Sequence, residues 1–330
     1  MLKYIVKRLL LSILILLGVS LIIYILVRCM PYDFVSNKIS ALQSNTSLDA
    51  TAVEKMYEMY GLSDSSFLGI LKGYVNWLAA LCRFDFGKSF VYGDSVLNVI
   101  VDHMGVSFAV ALIATFFEFL IAIPLGITAA THQYSLRDYI VTILVMVGIS
   151  LPTFFFGQIL KDALAMKLGW FPPSGLVDAT KDFSNVFDLV LDYLRHMFIP
   201  ILTVVILSIG GRMRMTRTNM LEVLSSDYIR TARAKGLKEK VVIYKHAFRN
   251  TLIPLVTSLA GLLPSLFSGA IITEQVFDLP GIGNVAFKAM MQADIPFIMG
   301  YNMFLALLSV IGVLLADLMY AVVDPRVKLS

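Results

Sequence analysis

Few residues of this chain have the types and spacing that catalysis or nucleotide binding requires. Gly87, Lys88 and Ser89 look like the end of a phosphate-binding loop, but that motif needs a glycine five residues before Gly87, where the chain has Cys82. The four histidines lie in different segments, and neither a His-Glu-x-x-His nor a Gly-x-Ser-x-Gly motif is present. We therefore expect no catalytic site, metal site or cofactor in this chain, and any nucleotide chemistry must come from another subunit.

Two acidic residues lie inside long apolar runs, where burying a charge is costly. Glu118 is in the second run and Asp317 is in the last. Each can be a contact in a translocation path or gate, or an inward-facing hydrogen-bonding group that fixes helix packing. Packing is the preferred interpretation, and neither residue has a neighbour suited to metal binding.

The composition indicates that these residues are positioned by membrane helices. Hydrophobic residues make up 58% of the 330 residues and charged residues 15%, which is typical of a polytopic membrane protein rather than a soluble one. The net charge of +4 is too small to indicate nucleic-acid binding. With two cysteines, Cys29 and Cys82, a single disulfide is possible, but two free thiols are the simpler interpretation.

Six apolar runs predict an all-α fold with six transmembrane helices. The first follows Lys3, Lys7 and Arg8, is too long for a signal peptide and lacks a cleavage site, so we expect it to stay uncleaved. The fourth is short, so we expect its helix to continue through Arg212 and Arg214, with both side chains reaching the lipid headgroups. The runs are Leu9–Val27, Val106–Ile127, Tyr139–Leu160, Phe198–Gly211, Leu252–Ile272 and Ile298–Val323.

The distribution of Lys and Arg predicts the orientation of these spans. Basic residues are concentrated near both termini and between residues 212 and 249, which places these segments in the cytoplasm. The predicted organisation is a first transmembrane helix in residues 1–30, an external segment in 31–101, and a core of five spans in 102–330 with a cytoplasmic loop at 219–250.

Two external amphipathic helices are also predicted from apolar residues at helical spacing. One covers the stretch from Phe67 to Leu81, which is too interrupted by charge to span a membrane. The other covers the stretch from Phe183 to Met197, just before the fourth run. The first is expected to pack on the membrane surface or on the outer mouth of the protein, and the second to lie at the membrane surface.

The polar, basic stretch Ser225–Pro254 interrupts the apolar runs and predicts a short helix. Ser225, Ser226 and Asp227 can cap a helix that starts near Tyr228, and Gly236 can adopt the left-handed conformation that ends it. A helix of about two turns is too short to be stable alone in water, so packing must hold it. We interpret the packing surface as a partner protein.

The side chains of this helix suit a groove with an acidic rim. Ala232 and Ala234 are small enough to seat deeply, while Arg230, Arg233 and Lys235 can meet acidic residues around them. The alternative is a basic helix that lies on anionic membrane lipid, for which the charges alone are sufficient.

The spacing of several motifs together resembles one family, the first permease subunit of bacterial oligopeptide and dipeptide ATP-binding-cassette (ABC) importers, which depend on a binding protein. Each motif alone is weak, whereas their combined spacing extends along nearly the whole chain. The motifs are Leu151, Pro152 and Gly157; WFPPSG at Trp170–Gly175; Gly211, Arg212, Arg214 and Arg217; DYIRTARAKGL at Asp227–Leu237; HAFRN at His246–Asn250, with Pro254; EQVFDLPGIG at Glu274–Gly283; Asp317; and DPR at Asp324–Arg326.

This resemblance implies the fold and the partners. It implies a type I ABC importer transmembrane domain in the bacterial cell membrane, paired with a second homologous permease. Two cytoplasmic subunits would bind ATP and Mg²⁺, and an external lipoprotein would deliver peptide. The chain itself would be a transport subunit rather than an enzyme.

The resemblance also identifies the cytoplasmic helix as the element that couples ATP hydrolysis to transport. The wider superfamily has a Glu-Ala-Ala motif followed by glycine; here Arg230 and Thr231 replace the first two residues, and Ala232 and Gly236 match. No glutamate of this helix can therefore have a role. The predicted coupling residues are Asp227, Tyr228, Arg230, Thr231, Ala232, Arg233, Ala234, Lys235, Gly236 and Leu237.

Two other classes of function, a secondary transporter and a scaffold, compete with this interpretation, and the substrate class also has an alternative. A secondary transporter driven by an ion gradient would need internal repeats and ion ligands at the membrane midplane, and no clear repeat relates residues 1–165 to 166–330. The same importer branch also offers metal chelates or other small solutes as substrates. A scaffold without transport activity is a third interpretation.

Overall fold

The computed structural model describes residues 2–29, 66–183, 185–258 and 261–323, and this part of the chain is helical. Its β-type pairing is one isolated bridge between Lys88 and Ser95, so the all-α prediction is confirmed. The polar stretch 31–65 and the motif Asp324–Arg326 lie outside the described residues. The α-helices are α1 Leu2–Arg28, α2 Phe67–Leu81, α3 Val96–Thr131, α4 Leu136–Ser150, α5 Thr153–Leu160, α6 Val186–Leu224, α7 Asp227–Ala234, α8 Glu239–Val241, α9 Arg249–Ser258, α10 Leu262–Ser268, α11 Ile271–Phe277, α12 Ile282–Met291 and α13 Ile295–Val323.

Two π-helical segments interrupt this series. Lys161–Lys167 continues α5, and Val242–Phe248 joins α8 to α9. The backbone contacts divide the chain into two compact units. Unit 1 comprises residues 1–105 and 285–311, and unit 2 comprises residues 106–284 and 312–329.

In unit 1, the helix predicted from Phe67 to Leu81 forms and packs on α1. Ser66 begins α2 by accepting a hydrogen bond from the Gly69 backbone N–H at 3.1 Å. The Ser20 and Tyr74 hydroxyls are 2.9 Å apart, and Tyr24 and Trp77 are fully buried between the two helices. A serine in the middle of the first span therefore contacts α2, so α2 packs along the span rather than only at its end.

A buried carboxylate organises the rest of unit 1. Asp294 accepts hydrogen bonds from the Ser89 hydroxyl and from the backbone N–H groups of Val91 and Phe297. Burial raises the pKa of this carboxyl, and these donors oppose the shift. The Ser89 hydroxyl is therefore engaged inside the protein.

In unit 2, α6 packs closely against α3 and α4 because a glycine lies at each of the two contacts. A Cβ on Gly126 of α3 would lie 2.6 Å from the Cβ of Thr216. Gly210, on α6 itself, provides the space for Ile149 of α4 in the same way. Small residues at these crossings allow two helix backbones to approach, as is common between membrane helices.

The structure supports four or five of the six predicted spans as helices long and apolar enough to cross a membrane. Four are continuous: Lys7–Val27, Val96–Thr131, Val186–Leu224 and Ile295–Asp317. The third predicted span is a pair, α4 and α5, bent by 102° at Leu151 and Pro152. Pro152 disfavours the helical conformation in the residue before it, Leu151, which explains the break.

The fifth predicted span, Leu252–Ile272, is divided among α9, α10 and α11 rather than forming one helix. Gly269, at the break between α10 and α11, has a φ of 72°, a left-handed conformation that ends a helix. The apolar composition of this run is typical of a span, but Gly269 breaks the helix inside it.

The predicted interfacial helix from Phe183 to Met197 is not a separate element. Its residues from Val186 onward form the first part of α6, which has 39 residues and continues through Arg212 and Arg214 as expected. Met197 is buried, whereas Val186 and Val190 remain exposed. Cys29 and Cys82 are free and exposed, which excludes the disulfide alternative in this structure.

Candidate functional site

The helix predicted at the centre of the cytoplasmic stretch is α7, Asp227–Ala234, but its start is not capped as expected. Ser226 occupies the N-cap position without a side-chain capping bond. Its hydroxyl instead donates to the Val223 carbonyl at 2.6 Å, and the Ser225 hydroxyl donates to the Glu222 carbonyl at 2.8 Å. Both serines therefore satisfy carbonyl groups at the end of α6, and the predicted side-chain cap was wrong.

The end of α7 agrees with the sequence analysis. Gly236 has a φ of 72°, and its backbone N–H donates to the Arg233 carbonyl at 2.9 Å. A Cβ placed on Gly236 would meet no other atom within 4 Å. Glycine is required here by the backbone conformation and not by a lack of space.

The packing that holds α7 comes from the chain itself. Ile229 is 0% exposed and Ala232 is 8% exposed, and both belong to a core cluster with Met220 of α6 and with Val242 and Ala247 of the π-helical segment. Ala232 therefore faces inward and is not available to a partner, which corrects the expectation that it seats in a partner's groove. Ile229 and Ala232 are three residues apart and share one helical face, and the core cluster around Met220 packs against that face.

The opposite face of α7 is exposed. Tyr228 is 47% exposed, and the Arg230 side chain forms only a long contact of 3.5 Å with Asp227 on the surface. We call this the outer face of α7, and it consists of Tyr228, Arg230, Thr231, Ala234 and Lys235. This face presents the positive charges of Arg230 and Lys235 and the small side chain of Ala234, which are predicted to dock on a partner.

Arg233 is engaged within the chain. Its guanidinium forms a double hydrogen bond with the Glu239 carboxylate, with nitrogen to oxygen distances of 2.7 and 3.2 Å. These bonds lower the pKa of Glu239 and raise that of Arg233. The sequence leaves Glu239 without an assigned role because the charge of Arg233 also suits an acidic partner; the opposite charge six residues later is the available signal.

A second contact ties the outer face of α7 to the start of α9. The Asn250 side-chain amide donates to the Tyr228 hydroxyl at 2.9 Å and to the His246 carbonyl at 3.1 Å. Asn250 ends the HAFRN motif and lies one turn before Pro254. The helix is thus attached at its start to α6, through its buried face to the π-helical segment, and through Tyr228 to α9.

Glu118 forms a buried ion pair that joins three helices of unit 2. Arg212 of α6 donates to the Glu118 carboxylate of α3 at 3.1 Å and to the Ser258 hydroxyl of α9 at 2.7 Å. The guanidinium also lies 4.5 Å from the centre of the Phe119 ring. Arg212 therefore does not extend to the headgroups as predicted, because a carboxylate at this depth provides a closer partner.

A further ion pair attaches α4 to α6 and was not anticipated. Arg217 donates to both carboxylate oxygens of Asp138 at 2.8 and 2.9 Å, and Asp138 also accepts the backbone N–H of Tyr134. Asp138 is 4% exposed. Asp138 lies in the first turn of α4, where acidic residues are common, so only the fold reveals its partner.

Two predicted residues lie outside α7 and the ion pairs described above. Leu237 lies just beyond Gly236 and is exposed. Asp317 is half-buried in α13 and is in unit 2, but its role stays a prediction. Among the described residues, no group of three or more His, Cys, Asp or Glu side chains could hold a metal ion.

These features define a class of protein: a multi-pass membrane protein with a basic helix packed on the end of one long span, α6, and on the segment that follows. Residues 122–329, more than half of the chain, match the family of binding-protein-dependent transport system inner membrane components. The chain belongs to this family and is a multi-pass membrane protein. This confirms the family suggested by the sequence motifs.

Curated relatives match along the whole length. The oligopeptide transport system permease protein AppB of Bacillus subtilis is 36% identical over 99% of this chain and 100% of its own length. The dipeptide transport system permease protein DppB of Alkalihalophilus pseudofirmus is 31% identical over 99% of this chain and 100% of its own. A chain of the inward-facing MetNI methionine ABC transporter has a TM-score of 0.51 at 17% identity, covering 69% of this chain and 97% of that chain, which supports the fold.

Proposed function

We propose that this chain is the membrane-spanning permease subunit of an ATP-driven importer for oligopeptides or dipeptides. It would form the translocation path with a second homologous permease. Two cytoplasmic subunits would bind and hydrolyse ATP with Mg²⁺, and an external lipoprotein would deliver the peptide. The names and full-length similarity of the curated relatives support the substrate class.

The observation that carries the proposal is the way α7 is built into unit 2. Its inner face is part of the chain's own core, and its outer face presents Tyr228, Arg230 and Lys235. Such a helix is a fixed projection, because moving it requires moving α6 and the π-helical segment as well. A docked ATP-binding subunit that shifts the outer face therefore displaces the spans.

The buried ion pairs transmit this displacement from α6 to the neighbouring helices. Arg212 links α6 to α3 and α9, and Arg217 links α6 to α4. Separating either pair inside the protein would leave an uncompensated charge, which is strongly unfavourable. The cytoplasmic halves of these helices consequently move together when ATP-driven closure switches the path from inward to outward facing.

Contacts with ATP-binding subunits would be electrostatic and shallow. Arg230 and Lys235 can meet acidic residues, and Ala234 allows close approach on the same face. Arg233, being paired with Glu239, orients the segment after Gly236 rather than the partner. The lipid-binding alternative uses the same positive charges but does not require the fixed orientation of Tyr228 toward α9.

The test is reconstitution in proteoliposomes with the second permease, the ATP-binding subunits and the lipoprotein. We expect labelled tripeptide to accumulate when ATP and Mg²⁺ are supplied on the cytoplasmic side. A non-hydrolysable ATP analogue is the matched control and should abolish accumulation. Uptake that follows an imposed ion gradient without ATP would refute the proposal and favour a secondary transporter.

A further inference from the structure

Another buried carboxylate of unit 2 has no part in the function described so far. Glu274 of α11 is 0% exposed. Its Oε1 accepts the Ser107 hydroxyl of α3 at 2.6 Å and the Ala270 backbone N–H at 3.2 Å, and its Oε2 accepts the Asn284 backbone N–H at 2.9 Å. A carboxylate removed from water is tolerated where such donors satisfy it, so these contacts are a requirement of the site.

Three glycines create the space that the carboxylate occupies. A Cβ on Gly281 would lie 2.5 Å from Oε2, and one on Gly283 would lie 2.8 Å from the same oxygen. A Cβ on Gly269 would lie 2.8 Å from Oε1. An apolar residue at 274 would leave the N–H groups unsatisfied, which explains why an acid is present in this apolar segment.

The same hydrogen bonds fix the turn between α11 and α12. Ser107 also accepts the Ile282 backbone N–H at 2.9 Å, so one hydroxyl connects α3, Glu274 and the start of α12. The Asn284 side chain donates to the Leu279 carbonyl at 3.0 Å. The turn Asp278–Gly281 is thereby held at both ends, while Asp278 itself is exposed with a φ of 49°.

The turn is joined to another loop on the same side of unit 2. The Gly175 backbone N–H, at the end of the WFPPSG motif, donates to the Phe277 carbonyl at 2.9 Å. Trp170 at the other end of that motif is exposed. With the orientation set by the basic residues, Ser107 is at the outer end of the second span and both loops are external.

We propose that Glu274 is a positioning residue that holds the external turn Asp278–Gly281 against the outer end of α3 throughout transport. This rests on the proposed function, because the turn would then belong to the external surface that receives the solute. Glu274 does not bind the solute, since its carboxylate is fully buried and its oxygens are occupied. It acts through the orientation of the turn.

Hydrogen exchange on the purified chain in lipid nanodiscs tests the structural part. Glu274→Gln keeps the shape but replaces one acceptor oxygen with an N–H₂ group that faces backbone donors. We expect exchange of peptides covering Ala270–Asn284 to become at least tenfold faster, with peptides of α2 unchanged. Unchanged exchange in the turn would overturn the proposal.

Two further variants show whether faster exchange in the turn comes from the loss of the Glu274 contacts. Asp278→Asn is the matched control, because it removes a charge from the same turn, tolerates the left-handed conformation and leaves the Glu274 contacts intact. Its exchange should equal that of the native chain. Ser107→Ala should accelerate exchange in the turn, and adding it to Glu274→Gln should give less than the product of the two effects, since both act on one network. Independent, fully multiplicative effects would contradict the proposal.

Transport measurements distinguish positioning from a general loss of structure. In the reconstituted importer, Glu274→Gln should raise the tripeptide concentration for half-maximal uptake about tenfold while the ATP hydrolysed per peptide imported stays constant. A lower maximal rate at unchanged half-saturation would refute the positioning role. If native complexes import no peptide under any condition, the proposed function fails, whereas the exchange experiment still decides the role of Glu274.

Discussion

Replacing Gly236 by valine is the sharpest test of the cytoplasmic helix. The φ of 72° at Gly236 is a left-handed conformation that a β-branched residue adopts only at a cost of about 1–2 kcal/mol. Because a Cβ at this position meets no atom within 4 Å, the cost comes from the backbone alone and not from crowding. A penalty of this size lowers the occupancy of the native helix end by roughly 5–30-fold.

The expected consequence is a coupling defect rather than a loss of assembly. Gly236 lies outside the spans, and the inner face of α7 packs through Ile229 and Ala232, which the substitution does not touch. Insertion and pairing with the second permease should therefore be normal in a pull-down assay. Peptide uptake and lipoprotein-stimulated ATP hydrolysis should fall together, because Arg233 and Glu239 lie on either side of the altered residue.

Gly236→Asn is the matched control. Asparagine adds a side chain of comparable size but populates the left-handed region far more readily than valine. It should retain most of the uptake activity of the native complex. Normal uptake by the Gly236→Val complex, with its ATP-binding subunits still bound, would refute the idea that the fixed end of α7 is needed for coupling.

The remaining predictions concern the ion pairs and the orientation. Arg233→Glu should reduce uptake by placing two carboxylates together, and adding Glu239→Arg should restore part of it; no restoration would indicate that Arg233 acts on a partner instead. Because the pKa of Glu239 is lowered in the folded chain, the contribution of this pair is fully present above the carboxyl pKa of the unfolded chain. This contribution is lost as the pH falls through the lower pKa that Glu239 has in the folded chain. Thermal unfolding at pH 7 and at pH 4 can measure the loss, and we expect less than about 1 kcal/mol because the pair is exposed. Glu118→Gln leaves Arg212 without its countercharge and should destabilise unit 2 by about 3–5 kcal/mol in detergent unfolding, and an unchanged midpoint would contradict a buried pair. In a cysteine-free background, Ser44→Cys should react with an impermeant thiol reagent added outside and Lys238→Cys should not, whereas the opposite pattern would reverse the orientation.

The sequence was sufficient for the class of fold and for the approximate positions of four long membrane helices. Long apolar runs specify membrane helices because the bilayer requires about 20 apolar residues, and this argument located α1, α3, α6 and α13. Gly236 was also predictable, because few other residues adopt its conformation. These features depend on local chemistry, which the sequence contains directly.

Other features depend on which segments meet in space and were not predictable. Ser225 and Ser226 have the right types to cap α7, but the end of α6 competes for their hydroxyls and obtains them. Arg212 looked like a headgroup-binding residue because nothing in the sequence near it reveals that Glu118, 94 residues away, lies within reach. The inward direction of Ala232 follows from the core around Met220, which local spacing alone does not define.

The length of α6 has a mechanical consequence. At 1.5 Å per residue, its 39 residues extend about 58 Å, nearly twice the thickness of the hydrocarbon layer. If it tilted as a straight rod, a rotation of about 5° at the C-terminal end would swing the N-terminal end by about 5 Å. Pro200 lies inside this helix and removes one backbone hydrogen bond, so it provides a point of flexure about a third of the way from the N-terminal end. Bending at Pro200 would convert part of that swing into a change of angle, so the displacement of the N-terminal end depends on how easily the helix bends at this one proline.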